Sequence, residues 1–363
     1  MKPLLRTLLA IVINVSLIYT IGCKGVEENW TIDILKPYLE GEFLKNGESY
    51  IIQWESDFTG AFNVDLLKSG EYITTLASNH SAVYYSWKVE GISAAEDYSV
   101  KVSISDKPAF FAESNLFEVL PEIPDSNVEF IEEDLIIDDK MIRLYTAGQG
   151  GTTILFEHGL GGDASVWFWN RLLNTLAEDN VVIAYNRSGY TPSTYNGESR
   201  GMANITNDLN EIIEQKVGNN KLILVGWSWG GPIIRYFTIY HPEKVDALLF
   251  IDPSHESGND ISQEREDALV ANAINSGNIG EELEAMQMVE TFVLLSNLAE
   301  LPDIPVVVLT ALQVGGFEWI NSHAELGAGV TDFTHKGVDS PHAIQYNEPE
   351  VVYKYVLQLL EKI

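Results

Sequence analysis

The chain has 363 residues, 45% of them apolar, which is enough for two domains with sizeable cores and argues against wholesale disorder. It carries 53 acidic and 22 basic side chains, for a formal net charge of −31. Such a surface would repel a phosphate backbone, so the composition disfavours nucleic-acid binding. The single cysteine, Cys23, excludes an intrachain disulfide.

The N-terminus has the pattern of an export signal. Lys2 and Arg6 precede an apolar run, Leu8 to Ile21, that is shorter than the ~20 residues of a membrane-spanning helix. We therefore predict a signal peptide over residues 1–22. The ending Thr20-Ile21-Gly22-Cys23 resembles a bacterial lipoprotein processing site. That resemblance implies a lipid on Cys23, a tether over 23–29, and an exported lipoprotein of the outer membrane, its periplasmic face or the cell surface. An ordinary signal peptide with an incidental cysteine is the alternative.

Residues 30–120 have the alternation of short strands. Segments such as Phe62-Asn63-Val64-Asp65-Leu66 alternate apolar and polar residues, and turn signals such as Lys68-Ser69-Gly70 separate them. Strands with no helix between them predict an antiparallel sandwich. The stretch from Gly47 to Leu120 resembles a secreted immunoglobulin-like module, on the residues Gly47-Glu48-Ser49-Tyr50, Trp54, Leu66 to Gly70, Tyr85-Ser86-Trp87, Asp97 to Val102 and Ser114 to Phe117.

A stiff, polar linker over residues 121–127 precedes a change of pattern. Aliphatic runs then alternate with helical stretches, which predicts an α/β domain over 128–363 whose mostly parallel sheet is covered on both faces. Val128 to Leu144 predicts a leading hairpin, and the long, helical, acidic interval at about 257–301 predicts a helical cap. The five predicted sheet strands are Ile154 to Phe156, Val181 to Ala184, Leu222 to Val225, Ala247 to Ile251 and Val306 to Leu309.

The segment Gly226-Trp227-Ser228-Trp229-Gly230 matches G-x-S-x-G. It follows the strand that ends at Val225 and opens a predicted helix, Gly231 to Tyr240. A sharp strand-to-helix turn of this kind exposes a serine above the sheet, and small flanking residues keep neighbours away from it. The segment resembles the nucleophile elbow of α/β-hydrolases, and this resemblance makes Ser228 the expected nucleophile. The alternative is a glycine-rich turn with no activity.

A serine nucleophile needs a base to take its proton. The preferred candidate is His342, which lies just before the predicted final helix, Pro349 to Leu360, where α/β-hydrolases carry their histidine. His335 is the alternative base. His241, before Pro242 at a helix end, is expected to be structural.

Two carboxylates compete for the role of the acid that orients the histidine. In most relatives the acid follows the strand that corresponds here to Val306–Leu309, but the first carboxylate after that strand is Glu318. Asp252 directly follows the preceding strand, at the edge of the sheet where open α/β sheets place their sites. We favour Asp252 and retain Glu318 as the alternative acid.

The oxyanion hole needs two aligned donors. One is expected to be the backbone N–H of Trp229, next to the nucleophile. The other is expected from Leu160, because His158-Gly159-Leu160-Gly161-Gly162 resembles the His-Gly oxyanion motif of α/β-hydrolases. The segment Asn186-Arg187-Ser188-Gly189 resembles the family's Asp-Arg-x-Gly segment, which supports that loop, with Asn186 in place of Asp. The aromatic residues expected to line an apolar acyl pocket, with packing in the core as the alternative, are Trp167, Trp169, Trp227, Trp229 and Tyr190.

Taken together, these motifs resemble the α/β-hydrolases over about residues 128–363. The resemblance implies a serine hydrolase that cleaves an acyl bond, expected to be an ester, of a small-molecule substrate through an acyl-enzyme. It implies no cofactor, and the sequence has no cluster with metal-ligand spacing. Ser228 argues against epoxide or haloalkane chemistry, for which an Asp would be expected. The alternatives are an aminopeptidase-like hydrolase of the same fold, and a surface adhesin whose hydrolase domain is inactive. The ligand of the sandwich is left open.

Overall fold

The computed structural model describes residues 29–37, 42–259 and 262–363. The predicted signal peptide, the lipid site at Cys23 and most of the predicted tether lie outside these ranges, so the anchor stays a prediction. Within the described ranges, no helix is long and apolar enough to cross a membrane. The described residues form two compact units. One contains residues 29–37, Ile51–Ser86 and Ser99–Asn115, and the other contains residues 42–50, Trp87–Tyr98 and the described part of Leu116–Ile363.

Short strands make up the regular structure of the first part of the chain. In the first unit, Trp54 and Phe62 are buried and pack edge to face at 5.6 Å. The predicted turn at Ser69 and Gly70 joins an antiparallel pair, and both residues have positive φ, as a tight hairpin requires. The strands are present as predicted, while their immunoglobulin-like arrangement and the boundary at 121–127 stay predictions. The strands are β1 (Ile32–Lys36), β2 (Glu42–Leu44), β3 (Ser49–Ser56), β4 (Phe62–Lys68), β5 (Glu71–His80), β6 (Tyr84–Lys88), β7 (Ala95–Ile104), β8 (Lys107–Glu113) and β9 (Phe117–Val119).

The second unit contains an eight-stranded sheet of order β10-β11-β13-β12-β14-β15-β16-β17. The pair β10–β11 is the predicted hairpin, β11 is also antiparallel to β13, and the remaining neighbours are parallel. This is the mostly parallel sheet that the continuous apolar runs indicate. Its strands are β10 (Ile131–Ile137), β11 (Lys140–Ala147), β12 (Thr152–Glu157), β13 (Val181–Tyr185), β14 (Lys221–Trp227), β15 (Ala247–Ile251), β16 (Val306–Ala311) and β17 (Phe333–Val338).

Helices cover both faces of this sheet. Alternate residues of a strand point to opposite faces, so Phe156 and Leu155 of β12 belong to two different apolar cores. The helices between β15 and β16, namely α4, α5 and α6, occupy the predicted cap interval. The helices are α1 (Leu172–Leu176), α2 (Met202–Lys216), α3 (Gly230–Tyr240), α4 (Gln263–Ser276), α5 (Ile279–Ala285), α6 (Met288–Leu295), α7 (Phe317–Glu325), α8 (Ile344–Asn347) and α9 (Pro349–Leu360).

Candidate active site

The turn between β14 and α3 holds Ser228 in a left-handed backbone conformation, with φ at 54°. That conformation is uncommon for a residue with a side chain and is a source of local strain. Its backbone is held on both sides: the N–H donates to the Ile251 carbonyl at 3.0 Å, and the carbonyl accepts from the Gly231 and Ser254 N–H groups at 3.0 and 2.9 Å. The turn is therefore fixed by β15 and the loop that follows it.

Glycines let the chain pack closely around this turn. A Cβ added at Gly226 would lie 2.7 Å from the carbonyl oxygen of Gly230. One added at Gly230 would lie 2.4 Å from the carbonyl oxygen of Glu157. These distances are too short for any side chain, so the sequence pattern G-x-S-x-G reflects a steric requirement at this crossing of β12, β14 and α3.

A cavity of about 810 Å³ opens above Ser228. Ser228 and His342 both line it, so the side chains expected to act as nucleophile and base face the same space. The cap contributes apolar walls, and Trp229 packs edge to face against Phe292 of α6 at 5.6 Å. The other lining residues are Leu160, Ser254, Gly258, Asn259, Arg265, Leu269, Glu281, Met288, Val314, Gly315, Gly316, Glu318 and Trp319.

The imidazole of His342 is paired with Asp252, with 2.6 Å between Nδ1 and Oδ2. The histidine lies after β17, and its side chain is 39% exposed whereas that of Asp252 is fully buried. On the other side of the loop, the Trp227 indole N–H donates to the His342 carbonyl at 3.0 Å. A proton on Nδ1 leaves Nε2 free to accept one from a nucleophile.

Further hydrogen bonds fix the Asp252 carboxylate. Its Oδ1 accepts from the Ala311 backbone N–H at 2.9 Å and from the Trp319 indole N–H at 2.8 Å. The residue has φ at 42°, and its own N–H donates to the Leu309 carbonyl at 2.7 Å. Of the two carboxylates that the sequence left open, the structure brings Asp252 to the histidine. Glu318 is exposed and lines the cavity from the first turn of α7.

The alternative base, His335, has a different partner. Its Nε2 lies 2.8 Å from Oγ1 of Thr310, which is also bonded to Nδ1 of His323. Burial lowers the pKa of His335 and lowers that of His323 to about 4, so neutral imidazoles are favoured behind Asp252. Neither His323 nor Trp319 belongs to a recognisable motif, so nothing in the sequence pattern marks them as part of the site.

The loop after β12 passes directly over the elbow. A Cβ added at Gly159 would lie 3.1 Å from Cβ of Ser228, which leaves room for glycine. Leu160 and Trp229, the residues expected to supply the oxyanion N–H groups, both line the cavity. His158 is buried, and burial followed by the charge of Arg187 lowers its pKa well below the usual value. Its neutral ring donates from Nδ1 to the Gly159 carbonyl at 2.8 Å and accepts from the Arg187 N–H at 3.3 Å.

Asn186, which stands where the α/β-hydrolase resemblance implies Asp, forms two local hydrogen bonds. Its Oδ1 accepts from the Ala164 N–H at 2.9 Å, and its Nδ2 donates to the Thr191 carbonyl at 2.7 Å. The first bond reaches the short helix that follows the loop after β12. An uncharged amide thus ties the segment after β13 to that loop.

Only some of the aromatic residues that were predicted to line an acyl pocket line the cavity in the structure. Trp229 lines the cavity, but Trp167 is 2% exposed and packs against Phe156 in the core, because its large ring fills the space beneath the loop. Tyr190 is buried behind the loop, with its hydroxyl bonded to Glu284. Trp227 packs against the His342 ring at 5.3 Å, and Trp169 is half exposed and contacts Tyr346.

His255 lines a separate, smaller cavity of about 180 Å³, with Arg235 and Glu256. His241 ends α3 and stacks on Phe237, as expected of a structural residue. Among the described residues, no group of three or more His, Cys, Asp or Glu side chains is placed to hold a metal ion.

Comparison with known sequences shows likeness over part of this domain. Residues 152–270 match the family model described as alpha/beta hydrolase fold. A 117-residue segment is 28% identical to the pimeloyl-(acyl-carrier protein) methyl ester esterase of Proteus mirabilis, covering 31% of this chain and 42% of that protein. A 117-residue segment is 26% identical to the dihydrolipoyllysine-residue acetyltransferase component of the acetoin cleaving system of Cupriavidus necator. It covers 32% of this chain and 30% of that protein. The chain thus spans less than half the length of these curated relatives.

Solved structures are similar over about two thirds of the chain. A thermophilic esterase from Thermogutta terrifontis has a TM-score of 0.52 at 17% identity, covering 64% of this chain and 98% of its own. An epoxide hydrolase from Vigna radiata has a TM-score of 0.52 at 14% identity, covering 65% and 99%. At these identities the likeness concerns the fold. With the matched segment and the observed sheet, it follows that the C-terminal part of this chain is a domain of the alpha/beta hydrolase fold.

Proposed function

We propose that this protein is a serine hydrolase that cleaves an acyl ester through a Ser228–His342–Asp252 triad. The observation that carries the proposal is the 2.6 Å pair between His342 and the buried Asp252, because His342 lines the same cavity as a serine held at positive φ. A buried carboxylate on Nδ1 holds the imidazole in the tautomer that can accept a proton at Nε2, and it stabilises the imidazolium that results.

In the first half of the reaction, Oγ of Ser228 attacks the acyl carbonyl carbon while Nε2 of His342 takes the hydroxyl proton. The negative charge that develops on the carbonyl oxygen is stabilised by the backbone N–H groups of Trp229 and Leu160. Collapse of the tetrahedral intermediate expels the alcohol, to which the imidazolium returns the proton. An acyl-enzyme on Ser228 remains.

In the second half, His342 takes a proton from water as the water oxygen attacks the acyl-enzyme carbonyl. The same two N–H groups stabilise the second tetrahedral intermediate. Its collapse breaks the bond to Oγ of Ser228, to which the imidazolium returns the proton, and releases the carboxylic acid. The apolar side chains of Leu269, Met288 and Phe292 line the cavity and favour an acyl group with hydrocarbon character. The serine at the elbow distinguishes this chain from an enzyme that opens epoxides with an aspartate nucleophile.

The test combines active-site labelling with turnover of Ser228→Ala. A fluorescent fluorophosphonate should label the wild type once per chain and leave Ser228→Ala unlabelled. Turnover of a short-chain aryl ester should fall by ~10³-fold or more in the variant, because triad residues act as a unit. Ser296→Ala is a suitable control, because that exposed serine caps the C-terminal end of α6, and its hydroxyl bonds the nearby Val293 carbonyl and Asn297 amide.

The substrate panel should include aryl esters, aminoacyl naphthylamides and a styrene-type epoxide, with esters preferred. Preference for the naphthylamides would favour the aminopeptidase alternative. A folded wild type that is neither labelled nor active on any of them would refute the proposal and favour an inactive hydrolase domain.

A further inference from the structure

Glu284 is a fully buried carboxylate on α5 of the cap, and no step of the proposed reaction uses it. Its two oxygens bind the guanidinium of Arg187 in a bidentate pair, with Nε to Oε1 at 2.7 Å and Nη2 to Oε2 at 2.8 Å. Oε2 also accepts from the Tyr190 hydroxyl at 2.9 Å. Bidentate pairs of this kind fix the orientation of the guanidinium as well as its position.

The other edge of the same guanidinium holds the loop after β12. Nη1 of Arg187 donates to Oε1 of Glu157 at 2.6 Å and to the His158 carbonyl at 2.7 Å. Nη2 donates to the Gly159 carbonyl at 3.2 Å. Although burial lowers the pKa of Arg187, the charges of Glu284 and Glu157 raise it well above its usual value, so the side chain stays cationic. One buried cation thus joins the cap to the carbonyls that precede Leu160.

The Gly159 carbonyl and the Leu160 N–H belong to one peptide group. This bond is trans, and in a trans peptide the C=O and the N–H point in opposite directions. Holding the carbonyl oxygen toward Arg187 therefore directs the Leu160 N–H away from it. The same pull on the carbonyl oxygen polarises the peptide and makes the N–H a better donor. The His158 ring N–H and the Gly162 N–H also bond this carbonyl, at 2.8 and 3.4 Å, so the guanidinium orients the proposed oxyanion donor together with these two groups.

Tyr190 provides a second link between the cap and this loop. Its hydroxyl donates to Glu284 and accepts from the Gly161 N–H at 3.4 Å, one residue beyond Leu160. Its ring packs edge to face on His158 at 4.8 Å, and the Arg187 guanidinium lies 5.0 Å from the ring centroid. The loop is therefore held on both sides of Leu160, by Arg187 before it and by Tyr190 after it, and both of these side chains are hydrogen-bonded to Glu284.

We infer that Glu284 is a positioning residue for the oxyanion hole, acting through Arg187 and Tyr190. The cap is then part of the catalytic machinery as well as a wall of the cavity: α5 aligns the Leu160 N–H with the carbonyl oxygen as charge develops on it. This inference rests on the proposed function. It assigns to the cap an effect on the rate of acylation that a substrate-binding lid would not have.

Glu284→Gln keeps the size of the side chain and removes the charge that orients Arg187. Loss of one oxyanion donor typically costs 10²–10³ in kcat. A donor that is misaligned but present should cost less, so we expect kcat for an aryl ester to fall by ~10- to 10²-fold with KM changed by less than ~3-fold. The rate constant for fluorophosphonate labelling should fall in parallel, because the phosphonyl oxygen occupies the same hole.

Rates should be expressed per labelled site at saturation, so that a lower folded fraction cannot imitate the effect. Glu284→Asp serves as a second variant that retains the buried charge, and so the charge balance needed for folding, but withdraws the carboxylate by one methylene. It should also lower kcat without raising KM. Glu282→Gln is the matched control, because it removes a partly exposed carboxylate from the same helix and touches neither Arg187 nor Tyr190.

Three results would decide against the inference. If Glu284→Gln and Glu284→Asp label and turn over at wild-type rates per site, Glu284 has no positioning role although the proposed function stands. If KM rises while kcat is unchanged, the residue acts in binding. If the wild type itself is neither labelled nor active, the proposed function is wrong and this inference falls with it.

Discussion

Asp252 combines three properties that a residue in an ordinary turn would not need. It is fully buried, its backbone adopts positive φ, and both carboxylate oxygens are used as acceptors. A buried polar group without partners would be costly, and here the partners come from three separate elements. The Trp319 indole both lines the cavity and donates to the acid, so α7 contributes to the orientation of His342 although it carries no residue of the proposed triad.

Substitution of the two candidate acids tests this assignment. We expect Asp252→Asn to lower ester turnover by ~10²-fold or more, because an amide cannot hold the imidazole in the required tautomer or stabilise its positive charge. Glu318→Gln should have a milder effect, because that side chain is exposed at the rim of the cavity. Purified variants with matched melting temperatures should be compared on one ester. If turnover is strongly reduced in Glu318→Gln and nearly normal in Asp252→Asn, Glu318 is the acid and the assignment is reversed.

At the scale of elements, the site depends on how closely α3, β12 and β14 approach one another. Glycine at positions 226 and 230 allows this approach, and Gly159 allows the loop after β12 to lie against Ser228. The cap helix α5 completes the arrangement from above, since its Glu284 reaches the same loop through Arg187. Elements that are distant along the chain thus share one small volume, and each must be accurately placed for the others to fit.

Gly230→Ala tests the steric requirement at the elbow. The added methyl carbon would lie 2.4 Å from the Glu157 carbonyl oxygen, which belongs to the backbone of a central strand and cannot move aside. We expect the free energy of unfolding, measured by urea denaturation, to fall by ~3 kcal/mol or more, the upper range for overpacking. Gly151→Ala is the matched control, because nothing lies within 4 Å of a Cβ there and its change should stay within ~0.5 kcal/mol. Equal stability of the two variants would contradict this account.

At the scale of the whole molecule, the second unit includes chain segments that precede the α/β pattern. Leu120 and Ile123 are buried in the core on the α9 side of the sheet. Lys354 of α9 pairs with Glu118 and Glu96, and Lys45 pairs with Glu348 at 2.8 Å. Ile123 of the segment predicted as a linker, and Leu120 just before it, therefore contribute apolar side chains to the core of this unit.

A comparison of two truncated chains measures that contribution. We expect both Leu120–Ile363 and Val128–Ile363 to unfold cooperatively and to hydrolyse small soluble esters, because every residue of the proposed site lies after position 128. The shorter chain should have a free energy of unfolding lower by ~3 kcal/mol or more, since it lacks two buried aliphatic side chains worth ~1.5–3 kcal/mol each. Equal stability would show that residues 120–127 act only as a linker. Loss of cooperative unfolding in both would show that the domain depends on the preceding segments.

The sequence by itself determined the features that depend on near neighbours. Alternating aliphatic runs and helical stretches predicted the parallel strands β12 to β16 and the covering helices, because hydrophobic periodicity records which face of each element is buried. The elbow at Ser228 could be recognised because its steric demands fall on residues within two positions of it. His342 could be proposed from its place before the last helix. The same reasoning left two candidates for the acid, Asp252 and Glu318, and kept His335 as an alternative base.

The tertiary structure alone decided the contacts between residues far apart in the chain. Asp252 and His342 are 90 positions apart, and Arg187 and Glu284 are 97 apart, so no local pattern links either pair. Trp167 likewise has the aromatic side chain expected of a pocket residue, but it lies in the core. Such pairings depend on strand order, on where the cap enters the sheet, and on the direction of each side chain. Local propensities constrain none of these, because they are decided by the packing of the assembled domain.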